Sequence, residues 1–172
     1  MARHLPLICR RTAHDMSAHT MMQSRGLGPL SAGGGWIVDE ALFRLLLDLE
    51  VHKARRLRYS VSIVSLMLEG SEVGEEASTA SFAEGVARHL RGTDAVTSWT
   101  QGVLFFLLVD AEATHLPAIL ERLTARFQTV LWSAGGSSYP RTAVRAEDML
   151  RQALDLLTLA RNEGGNRLYV AS

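Results

Sequence analysis

Cysteine is almost missing from this chain of 172 residues, with Cys9 the only one. That excludes an internal disulfide and a multi-cysteine metal site, and it fits a reducing, cytoplasmic setting. Net charge is missing too. Lysine plus arginine and aspartate plus glutamate each number 18, so no global field draws the chain to nucleic acid or to an anionic membrane. An anionic ligand has to be held by a local cluster. No apolar run approaches the ~20 residues that cross a bilayer, and Leu5 to Cys9 is too short for the apolar stretch of a signal peptide. A basic-aromatic pattern for nucleic acid is absent as well. What is present is 47% hydrophobic content, enough for one ordinary core.

Residues 1–35 hold His4, His14, His19 and the run Gly33-Gly34-Gly35 with no sustained period. They read as a disordered arm or linker, with the glycines as a hinge. No Gly-Lys-Ser/Thr follows to make a phosphate loop. Residues 36–172 read as the domain. The spacing predicts a helix over 36–57, with Leu42, Leu45, Leu46 and Leu49 at helical intervals. Asp39 and Glu40 stand at its start, and Lys53, Arg55, Arg56 and Arg58 near its end, as the helix dipole favours. Ser62 to Leu68 is strand-forming. After an acidic loop over 69–78, Thr79 or Ser81 caps a helix ending near Leu90, with Phe82, Val86 and Leu90 inward.

The stretch from Ala95 to Val109 reads as a β-hairpin. Ala95 to Trp99 is the first strand and Thr100-Gln101-Gly102 the turn, with Gly102 supplying a positive φ. Val103 to Val109 is apolar at every position, as a central strand covered on both faces requires. Helices over 113–127 and 147–161 follow. Between them lie a strand at 130–134 and a turn and exit loop at 135–140, and a last strand covers 166–170. This order predicts an α+β fold of the split-βαβ, ferredoxin-like kind, with a central, mostly antiparallel sheet flanked by helices. Apolar neighbours make Trp99 and Trp132 core or sheet-face residues rather than stacking platforms.

Four phrases, in order and spacing, resemble the GGDEF domain of diguanylate cyclases, whose fold is that of the nucleotidyl-cyclase palm. They are Arg55-Arg56-Leu57-Arg58-Tyr59, Arg91-Gly92-Thr93-Asp94, Ser133 to Pro140, and Ala160 to Arg167. The resemblance covers about residues 36–170. It also shows what is altered. The signature turn falls at residues 100–104 and reads Thr100-Gln101-Gly102-Val103-Leu104. Gly102 stands where the family places a metal-binding carboxylate, and Glu69 stands at the other metal position as a relic. One carboxylate does not hold the two divalent cations of phosphoryl transfer. The family's guanine-binding segment for GTP looks deleted between Glu69 and Ala80, and Arg161 replaces the family's lysine. The resemblance thus implies a degenerate domain with no catalytic residues, no metal and no cofactor.

It also implies that Arg91 and Asp94 form the family's Arg-x-x-Asp inhibitory site, with Arg122 as the added helix arginine. The implied ligand is cyclic di-GMP. An arginine fork satisfies guanine O6 and N7, and an aspartate accepts from the N1–H and N2–H₂ edge. Signalling would run through a homodimer or a protein partner, with no membrane insertion. Another guanine nucleotide is not excluded. The alternatives are a ligand-free interaction or dimerisation module, with Arg91 and Asp94 a local ion pair and Arg122 merely solvated, and an active cyclase. A second Arg-x-x-Asp, Arg145 to Asp148, is better explained by Glu147 and Asp148 as first-turn acids.

Overall fold

The computed structural model describes residues 34–69, 76–99, 102–125 and 131–172. Of the expected arm, only Gly34 and Gly35 are among them. The roles expected of Thr100, Gln101 and Phe127 also lie outside the described residues. The elements are β1 (Trp36–Ile37), α1 (Glu40–Leu57), β2 (Val61–Leu68), α2 (Glu76–Ala87), β3 (Ala95–Ser98), β4 (Val103–Val109), α3 (Leu116–Thr124), β5 (Trp132–Tyr139), α4 (Ala146–Asn162) and β6 (Arg167–Val170). A short 3₁₀ turn, Ala113–His115, leads into α3.

One sheet of six strands runs β1-β3-β4-β2-β5-β6. The three inner pairings are antiparallel, and only the edge strands β1 and β6 pair in parallel. The expected α+β class and mostly antiparallel sheet are what forms. β4 is central, as its unbroken apolar run predicts. Phe105 and Leu107 pack into one core with Phe43, Leu47 and Met149 of α1 and α4. Leu104, Phe106 and Leu108 pack into the other core with Phe82, Val86, Leu116 and Leu120. Trp99 lies against Phe105, ring centroids 4.2 Å apart, and Trp132 packs beside the second core. Among the described residues no helix is long and apolar enough to cross a membrane.

Several boundaries differ from the sequence reading. The first helix begins at Glu40, because Asp39 accepts from the Leu42 amide at 2.8 Å and caps it, an arrangement worth about 1 kcal/mol. Trp36 and Ile37 are therefore free to pair with β3. Of the leucines that mark α1, Leu42 and Leu46 pack half-buried against the core, and the other two face outward. Phe43, Leu47, Val51 and Ala54 are buried, while Leu45 and Leu49 are 54% and 49% exposed. α2 starts at Glu76, which puts Thr79 inside the helix instead of at its cap. Gly35 is no hinge residue: its N–H donates to Ala87 O at 2.8 Å, and a Cβ there would stand 2.6 Å from Leu90 Cβ.

The largest correction is β5. The Gly135-Gly136-Ser137-Ser138 run is strand from end to end, not a turn, and it pairs with β2 throughout. Its glycines serve packing. A Cβ on Gly135 would stand 2.5 Å from Leu157 N, so α4 lies on this strand at backbone-to-backbone distance. Ser65 Oγ of β2 donates to Ala153 O of α4 at 2.8 Å, which fixes that approach.

Candidate functional site

After α2 the chain passes buried Leu90 and closes a tight turn, with Asp94 N–H donating to Arg91 O at 2.9 Å. The Asp94 carboxylate then joins three pieces of chain. Oδ2 accepts from the Arg91 amide at 3.0 Å, and Oδ1 accepts from the Val109 amide at 3.1 Å and from Thr93 Oγ1 at 3.5 Å. The start of β3 is thereby pinned to the end of β4. β1 holds the turn from its other side, where Trp36 Nε1 donates to Gly92 O and Trp36 N to Asp94 O, both at 2.9 Å.

Asp94 is only 5% exposed. Burial pushes its carboxyl above the usual aspartate range, against the opposing pull of the Val109 and Arg91 amides and the Arg91 charge. A carboxyl raised in the folded state gives stability that is present at low pH and lost as the pH rises through the folded value. Between about pH 7 and about pH 4, wild type should therefore gain unfolding free energy relative to Asp94→Asn, whose side chain does not titrate. Parallel pH curves from denaturant melts would count against this account.

Arg91, Asp94 and Arg122 line one cavity of about 240 Å³. Three distant stretches of sequence, the turn, the end of β4 and α3, come together there. The local Arg91–Asp94 ion pair does not form; the Arg91 backbone amide, not its guanidinium, meets the carboxylate. Arg91 and Arg122 are exposed, and neither guanidinium has a hydrogen-bond or ion-pair partner among the described residues. Two exposed cations lining one concavity, neither hydrogen-bonded among the described residues, form a site for an anion or an electron-rich edge. Leu90, Leu108 and Ile119 add apolar surface, and Asp110 and His115 complete the wall. The sequence reading missed Asp110 and His115. The only cue to the first was a charged residue closing an apolar run, and to the second its place at a helix start.

The opposite end of β4 lies about 20 Å away at 3.4 Å per residue. Gly102 adopts the expected positive φ, +74°, and carries no ligand atom. Glu69, at the same end, accepts from Ser133 Oγ at 2.5 Å and lies 3.9 Å from Arg161 Nε. No group of three or more His, Cys, Asp or Glu side chains converges among the described residues. Among the described residues the donor set at this end is one carboxylate, already partnered, which does not fit the two divalent cations of a cyclase. The second Arg-x-x-Asp is local. Arg145 lies 3.8 Å from Glu147, and Asp148 pairs with Arg151 at 2.5 Å.

No protein-family model and no curated protein matches the sequence. Solved structures do match. The GGDEF domain of YfiN (TpbB) from Pseudomonas aeruginosa superposes with a TM-score of 0.71 at 15% identity, over 79% of this chain and 91% of that one. The GGDEF domain of DgcB from Caulobacter crescentus, solved in complex with cyclic di-GMP, gives 0.67 at 12%, over 80% and 90%. The active GGEEF domain of a diguanylate cyclase from Vibrio cholerae gives 0.65 at 17%, over 78% and 97%. At such identities the likeness speaks for architecture alone, and on that point it is plain: this chain has the fold of a GGDEF domain.

Proposed function

We propose that this chain is a non-catalytic cytoplasmic receptor for cyclic di-GMP, passing the signal on through a homodimer or a protein partner. The observation that carries the reading is the convergence of Arg91, Asp94 and Arg122 on one cavity, with neither guanidinium hydrogen-bonded among the described residues and the Arg91 charge acting on Asp94. The two arginines supply forks for guanine O6 and N7 and charge for phosphate. Asp94 supports them by holding the turn. The cavity, about 240 Å³, is below the roughly 300–1,000 Å³ of pockets that enclose drug-sized ligands. It suits one guanine, with the rest of the dinucleotide lying outside. Charged hydrogen bonds contribute about 1.5–3 kcal/mol each. Three or four of them suffice for the roughly −8 kcal/mol of a micromolar complex after ordering costs.

Calorimetric titration of wild type with cyclic di-GMP tests the reading. Micromolar binding is expected, and no heat together with no shift in unfolding temperature would overturn it. Incubation with GTP and Mg²⁺ or Mn²⁺ tests the catalytic side. No cyclic di-GMP should form, because Gly102 offers no ligand and Glu69 is engaged by Ser133. Product formation would make the chain an enzyme. A second reading, ligand-independent association, has one observation in its favour: Leu45 and Leu49, a turn apart, are exposed on α1. It predicts an oligomer in sedimentation runs without nucleotide.

A further inference from the structure

The chain is neutral overall, yet its arginines crowd one corner of the domain. Val61 of β2 pairs with Tyr139 of β5, so the residues leading into β2 run beside those leaving β5. Arg55 at the end of α1 donates across to Val144 O at 3.4 Å, and Ala54 and Ala143 share the core beneath. Arg56, Arg58, Arg141 and Arg145 are exposed on this corner. The guanidiniums of Arg56, Arg58 and Arg141 have no hydrogen-bond or ion-pair partner among the described residues. Of the acids nearby, Glu147 lies 3.8 Å from Arg145 and Asp148 pairs with Arg151. Asp110 lines the cavity, and its charge reaches Tyr59. Cations are in excess here.

Two aliphatic side chains stand among them. Leu57, between Arg56 and Arg58, is 69% exposed, and Val144, next to Arg145, is 56% exposed. Leu57 is held at the tip of α1, because Arg58 takes a left-handed φ of +64° and its N–H closes the helix on Ala54 O at 2.8 Å. We infer that this corner docks the domain on an anionic lipid surface, Leu57 and Val144 entering the headgroup layer and the arginines meeting lipid phosphates. Aliphatic tips set among guanidiniums match such a surface in both polarity and charge. An acidic protein segment would account for the arginines and leave the two aliphatics unexplained. The contact is peripheral, since no described helix is long and apolar enough to cross a membrane. It fits the cytoplasmic setting proposed above, because the leaflet facing the cytoplasm is the anionic one. It does not depend on the dinucleotide site.

Cosedimentation of the full chain with vesicles tests it, using phosphatidylcholine alone and phosphatidylcholine mixed with phosphatidylglycerol. Wild type should pellet with the anionic vesicles only, and less of it as salt is raised. Each arginine near such a surface is worth roughly fivefold in partitioning, so Arg58→Gln/Arg141→Gln should bind about twentyfold more weakly. Leu57→Ser/Val144→Ser keeps every charge and should still bind about tenfold more weakly. Unfolding temperatures should stay near wild type, as all four side chains are exposed. Residues 1–33 carry arginines of their own and are the same in every variant, so the differences report on this corner. Equal pelleting with both kinds of vesicle, or an arginine variant that binds as wild type does, overturns the proposal. An aliphatic variant that binds as tightly as wild type also overturns it, because the corner then holds a polyanion without entering lipid, as an acidic protein would require.

Discussion

Replacing Arg91 by alanine is expected to weaken cyclic di-GMP binding about ten- to a hundredfold, the equivalent of one charged hydrogen-bonding group. The substitution is informative because the fold does not use the side chain. What the turn requires of residue 91 is its backbone, whose N–H donates to Asp94 and whose carbonyl accepts from the Asp94 amide. An alanine keeps both bonds. Unfolding temperature should therefore stay within a degree or two of wild type while affinity collapses. Arg122 is equally dispensable to packing, being exposed on α3 beside buried Leu123. The double variant Arg91→Ala/Arg122→Ala should show no measurable heat. Raising salt should weaken wild type more than either single variant, because each arginine removed takes a screened charge contact with it. A double variant that still binds as wild type does would show that the ligand sits elsewhere.

The second large effect concerns the sheet. Gly135→Ala is expected to cost about 3 kcal/mol or more, at or past the upper end of ordinary overpacking, and to leave little folded protein. The added carbon would overlap the Ala153 carbonyl oxygen and stand 2.5 Å from Leu157 N and 2.9 Å from Leu156 Cβ. Two of those neighbours are backbone, so no rotamer change relieves the clash. The helix has to lift, and the Ser65 bond to Ala153 O goes with it. Gly136→Ala meets mainly the tip of the Leu116 side chain, 2.8 Å away, and should cost clearly less. Gly92→Ala, with nothing within 4 Å, serves as a near-neutral control. Chemical denaturation of the three variants orders them. A Gly135→Ala midpoint close to that of Gly92→Ala would contradict the packing described for α4.

These glycines also show where the sequence is legible. The unbroken apolar run of β4 announces a strand covered twice, because only such a position tolerates seven apolar residues in a row. Gly102 announces a positive φ because a hairpin demands one there. Gly135 and Gly136 have the same composition as a turn, and their causes, a helix 18 residues downstream lying on Gly135 and the Leu116 side chain packed on Gly136, leave no trace in the local pattern. Leu45 and Leu49 of α1 mislead in a related way. Phe43, Leu47, Val51 and Ala54 form a second stripe with the same period, and periodicity alone does not say which one faces the sheet. At the site, Arg91, Asp94 and Arg122 were found through register against a known family, and the structure brings them to one cavity. Asp110 and His115 were not found, since a residue closing a strand or opening a helix carries no motif. The inward commitment of Asp94 was equally hidden, because it depends on the Val109 amide across the hairpin.

Trp36 joins β1 to the Arg91–Asp94 turn through its indole N–H and its main chain, and the ring is nearly half exposed. The domain therefore carries a built-in optical probe bonded to the turn whose Arg91 and Asp94 line the cavity. Any rearrangement of Gly92 changes the polarity around a fluorophore bonded to its carbonyl. Emission spectra of wild type and Trp36→Phe, recorded during a nucleotide titration, would separate its signal from those of Trp99 and Trp132, which lie away from the turn against the sheet. Occupancy can then be followed at low protein concentration without attaching a dye.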